Sequence, residues 1–317
     1  MDKKIDILYA FDTRFWKLAT VSMYSLLKHQ SPDTKCTIYC MVAPHTHGQR
    51  QIKKIFQRFP NARLVWRTIK KHENPFFEYD FSRWSPVIFY RLFAGQIFPE
   101  VDKLLYLDSD TLICDDLTEL YNTDISKYTM GAVQDMAPRK DPNNKNGIYV
   151  ANFAKKHLKN GPYFNSGVLL INTKEQTKNI DLLKNIKVKL TYPDQDILNV
   201  ALQGKIKPLD LKYNMVPGLP IPIHFTEQQS IDATKNPVIH HFYAAKPYHY
   251  QHVPRDAYSA FYKATTEIGM HPDDFLNHEI KHLQRRNKQL NKPSKILSPL
   301  RVYNNKITFF GITIARP

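Results

Sequence analysis

Two aspartates two positions apart, Asp108 and Asp110, follow the apolar run KLLYL and are the first candidates for chemistry in this sequence. In an open α/β sheet, ligands bind at the carboxyl ends of the strands, so two carboxylates at that edge can share one divalent cation. Such a cation would neutralise a diphosphate. The same spacing recurs at Asp194 and Asp196, and acidic pairs often only cap turns. The preceding strand is what favours a metal site at Asp108 and Asp110.

A second candidate lies in VIHHFYAAKPYHY, where an apolar run ends in His240 and His241 and is followed by Lys246. An imidazole together with two carboxylates suits Mn²⁺ better than Ca²⁺. A lysine a few residues later can hold a departing phosphate as a point charge. The alternative is structural, because a histidine in an apolar run is often a hydrogen-bonded core residue and a Lys-Pro pair often forms a turn.

These side chains need strands to position them, and the sequence alternates short β-rich runs with longer helical stretches, which predicts an α/β fold. The predicted strands are IDILYAF, CTIYCMV, RLVWRTI, KLLYL, TLIC, MGAVQD, GVLLIN and PVIHHF. Helical spacing runs from Phe15 to His29. A second helix is predicted in SPVIFYRLFAGQIF, with Ser85 as N-cap and Pro86 at the first position. The polar stretch from Ala137 to Gly161 is expected to be a long mobile loop.

A chain of 317 residues, 42% of them hydrophobic, suffices for one large domain with appendages. No apolar run reaches about 18 residues, and the N-terminus passes directly into a strand pattern, so a cytoplasmic location is expected. Cys36, Cys40 and Cys114 are too few and too poorly spaced for a disulfide framework or a zinc site. We interpret them as small buried residues in a reducing compartment.

The formal net charge of +16 indicates an anionic partner, which can be nucleic acid, a phospholipid surface or a phosphorylated substrate. After Glu279 the chain carries basic and apolar residues and no acidic ones. We therefore expect residues 276–317 to form a basic, helical and amphipathic segment that associates with a membrane, where each basic residue contributes about 1 kcal/mol near anionic lipid. An equally weighted alternative is a solvated C-terminal helix whose apolar residues cover the main domain.

Six runs of the sequence resemble, in order, those of the family 8 retaining glycosyltransferases, especially the bacterial lipopolysaccharide and lipooligosaccharide galactosyl- and glucosyltransferases. The runs are ILYAFDTRFWKLATVSMYSLL, FYRLF, LLYLDSD, YFNSGVLLIN, DQDILN and HHFYAAKPYH. Together they extend over most of the chain, and six motifs in the family's order are far more specific than any one of them. The resemblance implies a GT-A fold, a Rossmann-like mixed sheet with flanking helices, over residues 1–275.

The resemblance also implies a role for each matched residue. Contacts with the nucleotide-sugar donor are implied for Asp12 (uracil and ribose), Arg91 (sugar or phosphates), Asn165 and Ser166 (sugar hydroxyls) and Lys246 (diphosphate). The implied metal ligands are Asp108, Asp110 and His240. Asp194 and Gln195 would lie beside the reacting carbon.

Each of these residues also has an ordinary structural interpretation when taken singly. Asp12 can be the N-cap of the first helix, and Arg91 can form an ion pair at the rim of the sheet. Asn165 can cap a turn, and Gln195 can be a residue of a helix N-terminus. Only the ordered set of motifs favours the functional interpretation.

The sequence departs from the family pattern at three places. Tyr243 stands where the signature after the last predicted strand has glycine, which can alter a backbone contact with phosphate, and Tyr248 replaces the usual tryptophan. Residues 13–15 differ from the family's acidic, Asn and Tyr residues, so base recognition follows less directly from the resemblance.

The resemblance predicts a retaining, metal-dependent hexosyltransferase that moves galactose or glucose from a UDP-sugar to a cell-surface glycan or glycolipid such as lipopolysaccharide core. Mn²⁺ is the expected metal, with Mg²⁺ as the alternative, and the basic tail would bind the anionic inner face of the cell membrane. No obvious carboxylate nucleophile is found and Gln195 is neutral, so attack by the acceptor on the face from which the diphosphate leaves is favoured, with Gln195 or Asp194 positioning the sugar.

Two other classes of function are compatible with parts of the sequence. One is a scaffold that keeps the glycosyltransferase fold without activity. The other is a basic nucleic-acid-binding protein, although zinc-finger spacing, an RNP-type aromatic run and a basic recognition helix outside the tail are all missing from the sequence. No nucleic-acid partner is therefore expected.

Overall fold

The computed structural model describes residues 3–79, 84–137, 145–159, 161–271, 273–277, 280, 300–303, 306–309 and 312–315. The chain divides into two compact units, Met1–Met270 and His271–Pro317. The predicted boundary between the catalytic domain (1–275) and the tail (276–317) lies five residues after this division.

The predicted β-rich runs form the strands of the first unit, which are β1 (Lys4–Phe11), β2 (Lys35–Val42), β3 (Ala62–Thr68), β4 (Lys103–Leu107), β5 (Thr111–Ile113), β6 (Met130–Gln134), β7 (Phe164–Asn172), β8 (Ile206–Pro208) and β9 (Ile239–His241). Seven of them pair in the order β3-β2-β1-β4-β7-β6-β8. β1 to β4 are mutually parallel, and β7 is antiparallel to both of its neighbours. All eight predicted strands are confirmed, while β8 was missed because IKP is short and contains proline.

Helices cover both faces of this sheet, so β1 and β2 are buried along nearly their whole length, as their continuous apolar sequence indicates. The helices are α1 (Trp16–His29), α2 (Gln49–Phe56), α3 (Ala94–Ile97), α4 (Thr118–Tyr121), α5 (Lys145–His157), α6 (Thr173–Lys178), α7 (Ile180–Lys184), α8 (Pro193–Ala201), α9 (Glu227–Lys235) and α10 (Arg255–Glu267). Short 3₁₀ helices span Lys71–Glu73, Pro86–Leu92, Leu211–Tyr213 and Tyr250–His252. This layered α/β arrangement confirms the predicted fold class.

The second predicted helix has the expected beginning but a tighter geometry. The side chain of Ser85 accepts a hydrogen bond from the backbone N–H of Val87, and Pro86 occupies the first turn. The segment Pro86–Leu92 is a 3₁₀ helix, and α3 follows after Phe93. The side chain of Arg91 is thereby directed into the buried interior rather than along an exposed helix face.

The stretch from Ala137 to Gly161, predicted to be a mobile loop, is instead helical over Lys145–His157. Its apolar residues supply the reason, because Val150 and Phe153 pack with Tyr163 in a separate buried cluster. The Asn, Gly and Pro residues that precede them suggested a loop, but tertiary packing overrides such local preferences. Residues 138–144 and 160 lie outside the described residues.

The second unit contains an antiparallel three-stranded sheet formed by β10 (Leu300–Tyr303), β11 (Lys306–Phe309) and β12 (Ile312–Ala315). The predicted helical tail therefore differs from the structure at these positions, where the sequence is rich in β-branched residues. Helical backbone is found at 273–277 and 280. Among the described residues, the helices are all too short or too polar to cross a membrane.

Candidate active site

The candidate site lies at one edge of the seven-stranded sheet, where strands of both directions present polar residues. Asp12 follows β1 and Asp108 follows β4, which is its parallel neighbour. Because β7 runs antiparallel to β4, its first residues lie at this same edge, and they include Asn165 and Ser166. β6 ends beside the start of β7 and is followed directly by Asp135.

Asp108 and Asp110 occupy the turn between β4 and β5. The backbone N–H of Asp108 donates to the carbonyl of Gly167 on β7 (2.8 Å), which extends the sheet pairing one residue past the strand. Thr111 closes the turn, because its hydroxyl donates to the carbonyl of Asp108 (2.8 Å). The backbone of Asp110 is in turn fixed by the N–H of Phe242 (2.9 Å). The backbone that carries the two carboxylates is therefore anchored at two places, to β7 of the seven-stranded sheet and to the residue after β9, which pairs with β5 in a separate two-stranded sheet.

The imidazole of His241 lies between these two carboxylates. Its Nε2 is 3.6 Å from Asp108 Oδ2 and 3.4 Å from Asp110 Oδ1, and one ligand atom from each of the three residues lies within 4.8 Å of the others. His241 Nε2 is buried and has no hydrogen-bond partner among the described residues. His241 Nε2 and the two nearby carboxylate oxygens together offer one nitrogen and two oxygen ligands to a common centre. This arrangement fits a divalent cation.

The histidine beside the aspartates is His241, and the sequence prediction of His240 is corrected by one residue. β9 pairs with β5, so successive residues of β9 point to opposite faces, and His240 faces away from the carboxylates. Burial lowers the pKa of His240 to about 4. One signal in the sequence could have pointed to His241: the family signature has an aromatic residue after its histidine, and Phe242 follows His241.

Gly167 leaves the space that this histidine needs. A Cβ atom at Gly167 would lie 2.0 Å from His241 Cε1 and 2.8 Å from Asp108 Oδ2. Both distances are far below van der Waals contact. The glycine of the run YFNSGVLLIN is therefore required by the close approach of a metal-ligand candidate to β7.

Arg91 is a buried cation that joins three of the predicted residues. Its Nη2 lies 2.9 Å from Asp108 Oδ1, and its Nη1 donates to the carbonyl of Ser166 (2.8 Å) and lies 3.3 Å from Asp194 Oδ2. The guanidinium also lies over the ring of Tyr106, 4.4 Å from its centroid. Burial alone would lower the pKa of Arg91, but the neighbouring charge of Asp108 raises it above its ordinary value.

Asp194 and Gln195, at the start of α8, meet the beginning of β7. Ser166 donates from its hydroxyl to Asp194 Oδ2 (2.7 Å) and from its backbone N–H to Gln195 Oε1 (3.1 Å). Burial raises the pKa of Asp194, although Arg91 acts to lower it. Asp196, the second member of that acidic pair, is structural: its carboxylate accepts hydrogen bonds from Tyr163 (2.6 Å) and Tyr149 (2.7 Å).

Two further polar residues belong to the site and were not predicted. Asp135 Oδ2 accepts from the side-chain amides of Asn165 (3.1 Å) and Gln195 (3.2 Å). The amide of Asn214 donates to Asn165 Oδ1 (2.9 Å), and its own Oδ1 lies 2.8 Å from His241 Nδ1. Asp135 carried a signal, a short acid directly after a strand, whereas Asn214 follows a 3₁₀ turn that no motif marks.

Lys246 and Asp12 extend the site away from the two aspartates. The ammonium of Lys246 forms an ion pair with Asp110 Oδ2 and lies 5.8 Å from the ring centroid of Phe15. Asp12 accepts hydrogen bonds from the backbone N–H of Arg14 and from its guanidinium, each at 2.8 Å. Burial alone would raise the pKa of Asp12, but these contacts with Arg14 lower it.

Comparison with known proteins decides the family. The model of glycosyl transferase family 8 matches residues 6–252, which is most of the chain and includes every site residue described above. The chain belongs to glycosyl transferase family 8. This confirms the family that the six sequence motifs indicated.

The relatives of this chain include a putative glycosyltransferase of Haemophilus influenzae, 28% identical over 229 residues, with 67% of this chain and 64% of the relative covered. A lipopolysaccharide 1,2-glucosyltransferase of Escherichia coli is 34% identical over 180 residues, with 52% of this chain and 50% of the relative covered. The chain thus spans between half and two thirds of the length of these relatives.

Solved structures confirm the GT-A fold predicted for this family 8 chain. The galactosyltransferase LgtC, in a structure with donor and acceptor sugar analogs, has a TM-score of 0.65 at 23% identity, over 86% of this chain and all of that chain. The bifunctional glycosyltransferase WbbM has a TM-score of 0.66 at 20% identity, over 88% of this chain and 52% of that chain.

Tyr243 packs against His241 at the candidate site. The ring of Tyr243 stands edge-on to that of His241, with the centroids 5.0 Å apart. Its hydroxyl is buried, and burial raises its pKa well above the ordinary value for tyrosine. A bulky ring therefore lies beside the metal-ligand candidate. Counting from His240 assigns Tyr243 to the family's glycine; counted from His241, that position is Ala244.

Proposed function

We propose that this chain catalyses metal-dependent transfer of a hexose, galactose or glucose, from a UDP-sugar to a cell-surface glycan, with retention of the anomeric configuration. The observation that carries the proposal is the convergence of Asp108, Asp110 and His241 beside the buried cluster of Arg91 and Asp194. Membership of family 8 and the Escherichia coli lipopolysaccharide glucosyltransferase relative support it.

The donor set supports Mn²⁺ as the metal, with Mg²⁺ as the alternative. Asp108 Oδ2, Asp110 Oδ1 and His241 Nε2 would hold it, and an imidazole ligand favours Mn²⁺ over Ca²⁺. When bound, such an ion acts as a Lewis acid on the diphosphate and stabilises the charge on the leaving group. Asn214 orients the imidazole for this role, because it occupies the opposite ring nitrogen.

The donor would extend from the turn after β1 to the two aspartates. Phe15 lies between these ends, because its backbone N–H donates to the carbonyl of Asp12 (3.1 Å) and its ring lies near Lys246. Asp12 and Phe15 would bind the nucleoside, and Lys246 would neutralise the diphosphate as a point charge. Departure of the diphosphate would then be assisted by protein cations on both sides of the metal ligands, Lys246 and Arg91.

The sugar would lie over the start of β7 and α8. Ser166 and Asn165 offer polar groups to the sugar hydroxyls, while Gln195 is fixed by Asp135 and by the backbone of Ser166. Asp194 is committed to an ion pair with Arg91 and to the Ser166 hydroxyl, which makes it a poor nucleophile. We therefore favour acceptor attack on the face from which the diphosphate leaves, with Gln195 stabilising the sugar. A covalent sugar adduct trapped on Asp194 or Asp135 would exclude this route.

The acceptor would contact an exposed aromatic group near the start of α8. Trp84 is 36% exposed and its ring lies 6.4 Å from that of Tyr192, the residue two positions before Asp194. Aromatic faces of this kind suit a sugar ring. A glycolipid acceptor such as lipopolysaccharide core, with residues 276–317 bound to the anionic inner face of the cell membrane, would account for the basic composition of the tail.

The test is donor turnover by the full chain with Mn²⁺ and a panel of nucleotide sugars, with and without lipooligosaccharide acceptors, measured as release of nucleoside diphosphate. We expect release from one UDP-sugar, its loss with chelator, and a fall of at least roughly 100-fold in Asp110→Asn. The matched control is Asp115→Asn, an exposed aspartate on the following turn, which should retain full turnover. Silence across all donors and acceptors would favour an inactive scaffold instead.

A further inference from the structure

Each aspartate of the proposed metal site gives one carboxylate oxygen to a protein cation and directs the other toward His241. Asp108 Oδ1 pairs with Arg91 (2.9 Å) and Asp108 Oδ2 faces the imidazole. Asp110 Oδ2 pairs with Lys246 and Asp110 Oδ1 faces the imidazole. A divalent ion bound by the two oxygens that face the imidazole would therefore have a protein cation behind each carboxylate. Each of these cations would repel the ion and weaken its binding.

The two cations differ in how firmly they are held. The side chain of Arg91 is 7% exposed. Its guanidinium is fixed by the carbonyls of Ile88 and Ser166, by Asp194 and by the ring of Tyr106. The side chain of Lys246 is 27% exposed, and the contacts that the structure describes for its ammonium are Asp110 and the face of Phe15. Arg91 is thus a fixed charge, whereas Lys246 can leave Asp110 at the cost of a single ion pair.

Lys246 also lies where an anion would reach it. Its ammonium stands between Asp110 and the ring of Phe15, which follows Asp12 at the end of β1. A diphosphate that bridges the nucleoside end and the metal end of the site would pass this ammonium, and it would offer more negative charge than one carboxylate.

We propose that Lys246 is a movable counter-ion that exchanges Asp110 for the diphosphate, so that the metal and the nucleoside diphosphate bind cooperatively. This inference rests on the proposed function and adds to it. The ion alone must bind against the charge of Lys246. Once the diphosphate draws the ammonium away, Asp110 is free to give its full charge to the metal. By linkage, the metal raises the affinity for the nucleotide by the same factor.

The test measures Mn²⁺ binding to the full chain by the EPR signal of free Mn²⁺, and UDP binding by calorimetry with and without saturating Mn²⁺. In the wild type we expect weak Mn²⁺ binding alone and an increase in UDP affinity of at least about 10-fold with Mn²⁺. Lys246→Met, which keeps the length of the side chain, should bind Mn²⁺ alone about 10-fold more tightly than the wild type and show a smaller increase. Lys246→Arg keeps the charge and should behave as the wild type toward Mn²⁺ alone.

Lys212→Met is the matched control, because Lys212 has nearly the same exposure (26%) and an ion pair with Glu119 away from the site. It should leave both affinities unchanged. Equal or weaker Mn²⁺ binding by Lys246→Met in a folded protein would overturn the proposal, as would tighter binding by Lys246→Arg. Failure of the proposed function is distinct: the wild type would then bind no Mn²⁺ even with UDP, and Asp110→Asn would behave as the wild type.

Discussion

Asn214 and His241 are joined by a contact of 2.8 Å between Oδ1 and Nδ1. Because the amide nitrogen of Asn214 already donates to Asn165, its oxygen must accept, so the imidazole carries its proton on Nδ1. In the neutral ring, which is the metal-binding form, the lone pair of Nε2 then points at the two aspartates. This tautomer is the one that binds a metal through Nε2, and a partner outside the ligand set fixes it.

Asn214→Leu should therefore weaken Mn²⁺ binding by about 10-fold to 100-fold, because the imidazole loses the group that sets its tautomer and orientation. Asn214→Asp keeps an acceptor for Nδ1–H and should lose less. Mn²⁺ affinity in the presence of UDP is the measurement. Equal losses in the two variants would mean that Asn214 acts through Asn165 and not through the histidine.

Replacement of the two adjacent histidines separates the metal ligand from its structural neighbour. His241→Gln should abolish Mn²⁺-dependent turnover and Mn²⁺ binding, because a nitrogen ligand is lost between the carboxylates. His240→Gln should retain Mn²⁺ affinity within a few-fold, because that side chain lies on the opposite face of β9. The reverse result would restore the assignment that the sequence alone suggested.

The three cysteines should be inert in the folded protein. Burial raises the pKa of Cys36 to about 12, that of Cys114 to about 11, and that of Cys40 well above its ordinary value. The thiolate is the reactive form, so at pH 8 reaction with Ellman's reagent should be roughly 100-fold slower than in guanidinium. The neutral thiols contribute to the free energy of unfolding fully at a pH below their pKa in the unfolded chain. That contribution is lost as the pH rises through their higher pKa values in the folded protein.

Time courses at pH 8, 9 and 10 check this expectation. Cys114→Ser identifies the one thiol that is not fully buried. A native thiol that reacts at the unfolded rate would show that one of the three sites opens or is exposed in solution.

The sequence predicts the parts of the site that local patterns encode. An apolar strand that runs into Asp108 and Asp110 is such a pattern, because the edge of a sheet follows from strand periodicity. The residue that orients the imidazole between these carboxylates is harder to find. Asn214 is a single polar residue in a loop, and its role depends on a contact with a residue 27 positions away.

The choice between His240 and His241 is not settled by a local sequence pattern. A shift of one residue in a strand reverses the face to which a side chain points, so neighbouring histidines have opposite environments. Spacing from Lys246 favoured His240, because the motif was counted through Tyr243 at the family's glycine. The pairing of Thr111 with His241 across β5 and β9 decides between them, and that pairing is visible only in three dimensions.

Gly167→Ala tests whether the close packing of β7 against the histidine is needed for activity. The added methyl group would overlap the ring of His241, which has no room to move because it is 2% exposed and held by Asn214. We expect a loss of about 1 to 3 kcal/mol in the free energy of unfolding and loss of Mn²⁺ binding. Gly161→Ala is the matched control, because nothing lies within 4 Å of its Cβ position. Chemical denaturation and Mn²⁺ titration of both variants provide the measurements, and a Gly167→Ala protein that binds Mn²⁺ like the wild type would show that His241 is not confined at the site.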